Sequence, residues 1–272
     1  MKTVVVLDAC VLFPLPLRDT LLRIASRELY RLHFSQEILD ETTKNLIDKN
    51  KMNEEKAARY QRFMKQYFPE SIVENYESLI PLMTNDPKDR HVLAAAVKAK
   101  ADIIVTFNLK DFPPESLEPY GIKAQHPDEF LLDLFSDYGI DLAADILQQQ
   151  VADLKKPPMR LQELIERLDC QVPKFSQCVL FYKYIDFMIC ASNKILKSIG
   201  YKKQNDLVFY QGQEYYLEKD RSSLVIKHDE RGEILKETEE FITGNFTLQD
   251  LEKFEEFEQK LDEELQKSKI NR

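Results

Sequence analysis

A few carboxylates in this sequence stand where an acid needs a reason. Asp8 closes the apolar run of "TVVVLD", Glu41 lies inside the apolar pattern of "SQEILDETTKNLI", and Asp86 and Asp89 head "DPKDRHVLAAA". Asp111 ends "DIIVTFNLKD" by the same logic, just beyond another apolar run. Carboxylates brought to one place repel and partly protonate unless a divalent cation holds them ionised. An oxygen-only donor set of this kind suits Mg²⁺ or Mn²⁺, which keep several waters and bind a few carboxylates together with phosphate oxygens. Such an ion can polarise a phosphoryl group, activate a water and steady a departing oxygen, so the implied chemistry is metal-dependent phosphodiester hydrolysis.

The elements that would position these acids can be read from periodicity. "VVVL", from about Thr3 to Leu7, is a short β-branched run of the kind buried in parallel sheets. "LRDTLLRIASRELYRLHF" carries Leu21, Leu22, Ile24, Ala25 and Leu29 at helical spacing, with Asp19 or Thr20 as its cap, and Ser35 opens a second helix, "SQEILDETTKNLIDKN". "EEKAARYQRFMKQYF" is a third helix, "DIIVTFN" the clearest strand, and "YGIKAQHPDEFLLDLF" a short strand followed by a helix entered through Pro127 and Asp128. Strands alternating with helices imply a parallel sheet with helices on both faces. In that architecture function gathers at the carboxyl ends of the strands, which is where Asp8, Asn108 and Asp111 fall.

Asp86 has an ordinary explanation: with Pro87 as first helical residue it is the N-cap, and Asp89 takes the third position of the helix. Asp89 also aligns with Val92, Leu93, Ala96 and Val97 at i+3, i+4, i+7 and i+8, the face to be buried. Capping does not require that alignment, and an unpaired charge there is costly unless a cation shares the site. Glu41 sits at the edge of the packed face formed by Ile38, Leu39, Thr42 and Leu46, where a solvated glutamate is the commoner outcome. The coincidence of several acids from separate segments changes that weighting.

Taken in order, "VVVLDACVLFPLPLRDTLLRIA", "FSQEILDETTKNLI" and "NDPKDRHVLAAAVKAKADIIVTFNLKDFP" resemble the successive signature blocks of PIN-domain proteins, in the branch that includes VapC-type toxins. "LKKPPMRLQELIERLDCQVPKFSQCV" resembles the helical tail of that branch, so the likeness covers roughly Met1 to Leu180. The resemblance implies a Rossmann-like α/β/α fold around a central parallel sheet and a Mg²⁺- or Mn²⁺-dependent ribonuclease site. By motif, Asp8, Glu41 and Asp89 are its acids. The fourth acid normally stands two residues after the threonine that ends the strand, here Thr106; that place holds Asn108, and Asp111 either supplies the missing charge or braces the loop. Asp86, Asn108 and Thr106 are supporting candidates. An RNA substrate, an antitoxin partner and a homodimer are further implications of the family.

Cations near the acids offer phosphate contacts: Arg18 and Arg90 as bidentate donors, and Arg23, Arg27 and Arg31 as a basic stripe along one helix. Ion pairs with neighbouring acids and a solvated helix face are the competing readings. His91, one helix step off the buried face, reads as a surface histidine. The net charge of -9 argues against a broad basic nucleic-acid surface but not against an enzyme that reaches phosphates through a metal. The four cysteines, Cys10, Cys170, Cys178 and Cys190, lack CxxC spacing and read as reduced apolar filler. No apolar stretch approaches the ~18 residues of a membrane span. Asp8 interrupts the first apolar run and no cleavage site follows, so a cytoplasmic protein is expected.

The chain divides, on this reading, into a nuclease domain (1–140), a helical tail or linker (141–198) and a small C-terminal region (199–272). In the last, "DLVFYQGQEYYLEKDRSSLVIKHDERGEILKE" alternates apolar and polar residues between turns, giving three or four antiparallel strands. Thr247 and Asp250 cap a final helix with an apolar face of Leu251, Phe254, Phe257, Leu261 and Leu265 and an acidic opposite face. That helix covers the meander or, on a sharper reading, mimics RNA and masks the nuclease site. Two function classes remain: an active endoribonuclease, and a degenerate PIN domain serving as an RNA- or protein-binding module, which Asn108 favours. A phosphatase with Asp8 as nucleophile is disfavoured, because Cys10 stands where its second acid belongs.

Overall fold

The structure is a computed structural model that describes residues 2–155, 157–202 and 207–270. It falls into two compact units, Met1–Phe175 and Ser176–Arg272.

In the first unit, β1 (Val4–Leu7) leads through Asp8 into the short α1 (Ala9–Leu12) and then α2 (Leu15–Ser26). β2 (Arg31–Ser35), α3 (Gln36–Asp48), α4 (Glu54–Tyr67) and β3 (Ile72–Val73) follow. After a 3-10 segment at Glu77–Leu82 come α5 (Arg90–Ala99), β4 (Ile103–Val105), a 3-10 turn at Leu109–Asp111, α6 (Pro114–Leu117), β5 (Lys123–Gln125) and α7 (Pro127–Tyr138). α8 (Ile140–Asp153), α9 (Leu161–Asp169) and the start of α10 (Pro173–Ile199) complete it. The five strands form a parallel sheet in the order β3-β2-β1-β4-β5. Val5, Val6 and Leu7 at its centre are fully buried, as a strand covered on both faces requires. The order reverses at β1, so the crevice beyond the carboxyl ends of β1 and β4 is the switch point where ligands of open α/β sheets bind.

Three sequence expectations change here. α2 starts at Leu15 behind Pro14, so neither Asp19 nor Thr20 caps it. It stops at Ser26, and Glu28 takes a left-handed conformation (φ 57) that turns the chain into β2. "RLHFS" is therefore a strand, paired to β1 through Val4↔Arg31, Val5↔Leu32 and Val6↔His33. Sheet pairing overrides the helical spacing of this segment, and Arg31 leaves the basic stripe. Finally, α5 begins at Arg90, not at Pro87: Asp86 Oδ1 instead accepts the Lys88 N–H in a local turn. The Ser35 cap is as expected, its hydroxyl accepting the Ile38 N–H at 3.2 Å.

In the second unit, the "NKILKSIGY" segment is the end of the long α10 and its exit, followed by β6 (Tyr201–Lys202), β7 (Val208–Gln211), β8 (Tyr215–Lys219), β9 (Ser223–His228), β10 (Gly232–Thr238), β11 (Ile242–Gly244) and α11 (Leu248–Ile270). The six strands make an antiparallel meander in chain order, longer than expected because the terminal strands carry little alternation. Thr247 and Asp250 form the anticipated capping box. Asp250 is fully buried and also accepts hydrogen bonds from Tyr215 Oη, at 2.7 Å, and from Arg231. Phe254 of α11 meets Tyr215 edge-on, so the acidic helix covers the meander with its apolar face. Leu251, Phe254 and Leu261 are buried there; the side chain of Leu265 lies outside the described residues.

Candidate active site

Asp8 sits at the carboxyl end of β1, where its backbone N–H extends the ladder to Val105 O at 3.1 Å. Its side chain is nearly buried, at 2 % exposure. Thr106, fully buried at the end of β4, donates to Asp8 Oδ2 at 2.7 Å and accepts the Asn108 N–H at 3.0 Å. The Cys10 thiol donates to the same Oδ2 at 3.0 Å, while its sulfur accepts the Phe107 N–H at 3.2 Å. Cys10 is thus no mere filler. Burial and, next, the Asp8 charge push its pKa far up, so it stays a thiol and serves as a donor.

The other acids line one open crevice of about 740 Å³, walled by Glu37, Asp40, Glu41 and Lys44 of α3, by Asp86, Lys88, Asp89 and His91, and by Asn108, Lys110 and Asp111. Asp89 occupies the N-cap position of α5 but makes no capping hydrogen bond. Burial, then the charges of Asp8, Asp111, Glu41 and Asp86, raise its pKa from the ordinary carboxylate value to about 6. Five acids from four segments therefore act on one another electrically, which capping alone would not bring about. Asn108 and Asp111 share the turn after β4, and Asp86 N–H donates to Asp111 O at 3.2 Å, tying the two acid-bearing loops together.

The donor chemistry fits a hard divalent cation: the crevice offers carboxylate oxygens from several segments. Among the described residues, however, no group of three or more His, Cys, Asp or Glu side chains is drawn into a closed ligand set.

His91 is the residue that sequence reasoning misplaced. It is 7 % exposed, with Nε2 3.5 Å from Glu41 Oε2 and Nδ1 3.8 Å from Glu37 Oε2. Burial, the largest influence, lowers its pKa, but Glu41, Glu37 and Asp8 together outweigh it and the net shift is upward. Glu37 went unnoticed too, although its spacing of one helical turn from Glu41 was a legible signal.

The arginines are mostly engaged elsewhere. Arg18 is 5 % exposed, donates to Leu12 O at 2.9 Å and lies over the Tyr60 ring, so it faces the interior and not an incoming phosphate. Arg23 bridges Asp19 and Asp153, Arg27 donates to Gln149, and Arg90 Nε donates to Asn85 O at 3.3 Å. The cations facing the acids are lysines 44, 88 and 110. No described helix is long and apolar enough to cross a membrane.

Comparison with known proteins agrees with this geometry. Residues 4–110 match the PIN domain, and residues 127–179 match the VapC50 C-terminal domain. Over 101 residues the chain is 50% identical to the Mycobacterium tuberculosis (strain ATCC 25618 / H37Rv) protein named "Putative ribonuclease VapC50". That match spans 37% of this chain and 59% of the relative. No solved structure matches. With β1, α3, α5 and the turn after β4 bringing their acids to the switch point of a parallel sheet, residues 4–110 carry the pattern of a PIN domain, and the likeness to a VapC-type protein continues into residues 127–179.

Proposed function

We propose that this chain is a metal-dependent endoribonuclease that hydrolyses phosphodiester bonds in single-stranded or looped RNA, acting in the cytoplasm as the toxin of a toxin–antitoxin pair. The observation that carries the reading is the convergence of Glu41, Asp86, Asp89 and Asp111, acids from distant parts of the chain, on one crevice, with Asp8 close enough to act on Asp89. The ribonuclease name of the M. tuberculosis relative supports the same chemistry.

In this reading Asp8, Glu41, Asp89 and Asp111 hold Mg²⁺ or Mn²⁺, with Asp86 and Asn108 at the margin. Bound there, the ion supplies a Lewis acid for the phosphoryl group and lowers the pKa of a water. The chain does the rest. Thr106 and Cys10 fix Oδ2 of the buried Asp8, and in this reading Oδ1 is the oxygen offered to the cation. Lysines 44, 88 and 110 draw the RNA backbone toward an otherwise acidic wall. Asp111 takes the charge that Asn108 lacks. An antitoxin that covers the crevice and a homodimer belong to the same reading, and a small gene directly beside this one would favour the antitoxin.

The test is cleavage of a single-stranded RNA with Mn²⁺, with chelator, and by Asp8→Asn and Asp89→Asn proteins shown to be folded by circular dichroism. The expected result is cleavage that needs the metal and falls at least ~100-fold in each variant. Asn108 and the open spacing of the acids favour a second reading, a degenerate domain that binds RNA or protein without cutting it. Metal-independent RNA binding without cleavage by the wild-type protein would select it.

A further inference from the structure

We propose that His91 is a positioning residue for Glu41, itself oriented by Glu37 and Tyr76, so that a carboxylate–imidazole–carboxylate row organises the α3 side of the crevice. This rests on the nuclease reading above and names a part of that site which the four-acid motif leaves out.

Asp8 and Glu41 are held very differently. Asp8 is buried and fixed by two side-chain donors, Thr106 and Cys10. Glu41 has a side chain 43% exposed, on a helix face, with three rotatable bonds. Left free, such a side chain loses rotamer entropy when it is fixed, and a ligand that needs it fixed binds correspondingly more weakly. A rigid neighbour that fixes it beforehand removes that cost.

His91 is built for this. It lies one residue past the start of α5, so the helix that carries Asp89 also carries the imidazole. Its ring is buried and planar, and each nitrogen faces a glutamate: Nε2 toward Glu41 at 3.5 Å and Nδ1 toward Glu37 at 3.8 Å. Glu37 and Glu41 are four residues apart on α3 and so share a face. Tyr76 Oη donates to Glu37 Oε2 at 3.3 Å, which anchors the far end of the row. Nδ1 is buried without a hydrogen-bond partner, an arrangement native proteins rarely leave unused. Glu37 Oε2, half-exposed and 3.8 Å away, is the acceptor this proposal assigns to it. Residues that orient ligands in this way typically alter metal affinity 10- to 100-fold when removed.

The experiment uses the full-length chain and Mn²⁺ as probe, followed by titration calorimetry, with RNA cleavage as a second readout. His91→Gln keeps a donor near the place of Nε2; His91→Met has the same length without a donor, and His91→Phe fills the volume with a ring. Circular dichroism establishes folding, and the phenylalanine protein is read if the methionine protein does not fold. The expected result is Mn²⁺ affinity about tenfold weaker in the donor-free variants and close to wild type in His91→Gln, with kcat recovering at saturating Mn²⁺. Mn²⁺ affinity unchanged in the donor-free variants overturns the role of His91 while the nuclease reading stands. A wild-type protein that neither cleaves RNA nor binds Mn²⁺ in a manner Asp89→Asn abolishes overturns both.

Discussion

At the scale of single residues, the cluster is a set of charges kept close at a cost. Asp89 holds its proton up to about pH 6 in the folded chain, while an unfolded aspartate gives it up near 4. Between those values the folded form binds more protons than the unfolded form, so this group makes stability fall as pH rises. Without divalent ions, the melting temperature of the wild-type protein is expected to decline relative to Asp89→Asn from about pH 4 to pH 6, with Mn²⁺ at neutral pH reversing the difference. Differential scanning calorimetry across that range reads it directly; parallel pH curves would refute the coupling. Thr106 acts in the opposite sense, as a fixed donor. Thr106→Val keeps the shape but strands the Asn108 N–H and one bond of Asp8, and is expected to cost about 1 to 3 kcal/mol and to lower cleavage about 10- to 100-fold. Urea melts and a cleavage assay on the same preparation separate the two effects.

At the scale of elements, each acid is delivered by a different kind of junction. Asp8 ends a strand, Asp89 stands at a helix start, Asp111 closes a 3-10 turn, and Glu41 rides on a helix face. The start of α3 is pinned by the Ser35 hydroxyl. Ser35→Ala is expected to lower stability by about 1 kcal/mol in chemical denaturation. Cleavage should hardly change, because Glu41 lies beyond the first turn; a loss as deep as that of Thr106→Val would mean that the cap controls the site. The short α1, directly after Asp8, was not visible in the sequence, since four residues cannot show a period.

At the scale of the whole chain, the PIN-like motif lies in the first compact unit, and the second has its own polar anchor. Asp250 is fully buried; burial, the largest single influence, raises its pKa, but hydrogen bonds from Arg231, Thr247 and Tyr215 together outweigh it and hold the pKa below the ordinary range. Asp250→Ala leaves Tyr215 and Arg231 unpaired and is expected to destabilise the meander and α11 by about 2 to 4 kcal/mol. RNA cleavage is expected to stay at the wild-type level, since α11 packs its apolar face on the meander and behaves as its cover. Cleavage that rises in this variant would revive the acidic helix as a mask. The three-part division at residues 140 and 198 is a proposal about folding, and limited proteolysis with mass mapping tests it.

The order of strands and helices around "VVVLD" and "DIIVTF", the Ser35 and Asp250 caps and the motif acids were legible in the sequence, because periodicity, cap chemistry and strand-end acids are local patterns. Tertiary structure alone decided that "RLHFS" is a strand, that Arg18 and His91 turn inward, and that Thr106, Cys10 and Asp8 share one hydrogen-bonded cluster. The physical reason is the same in each case. A pairing partner, a buried ring or a donor supplied from about a hundred residues away leaves no mark on the local spacing, and it outweighs the propensity that spacing expresses.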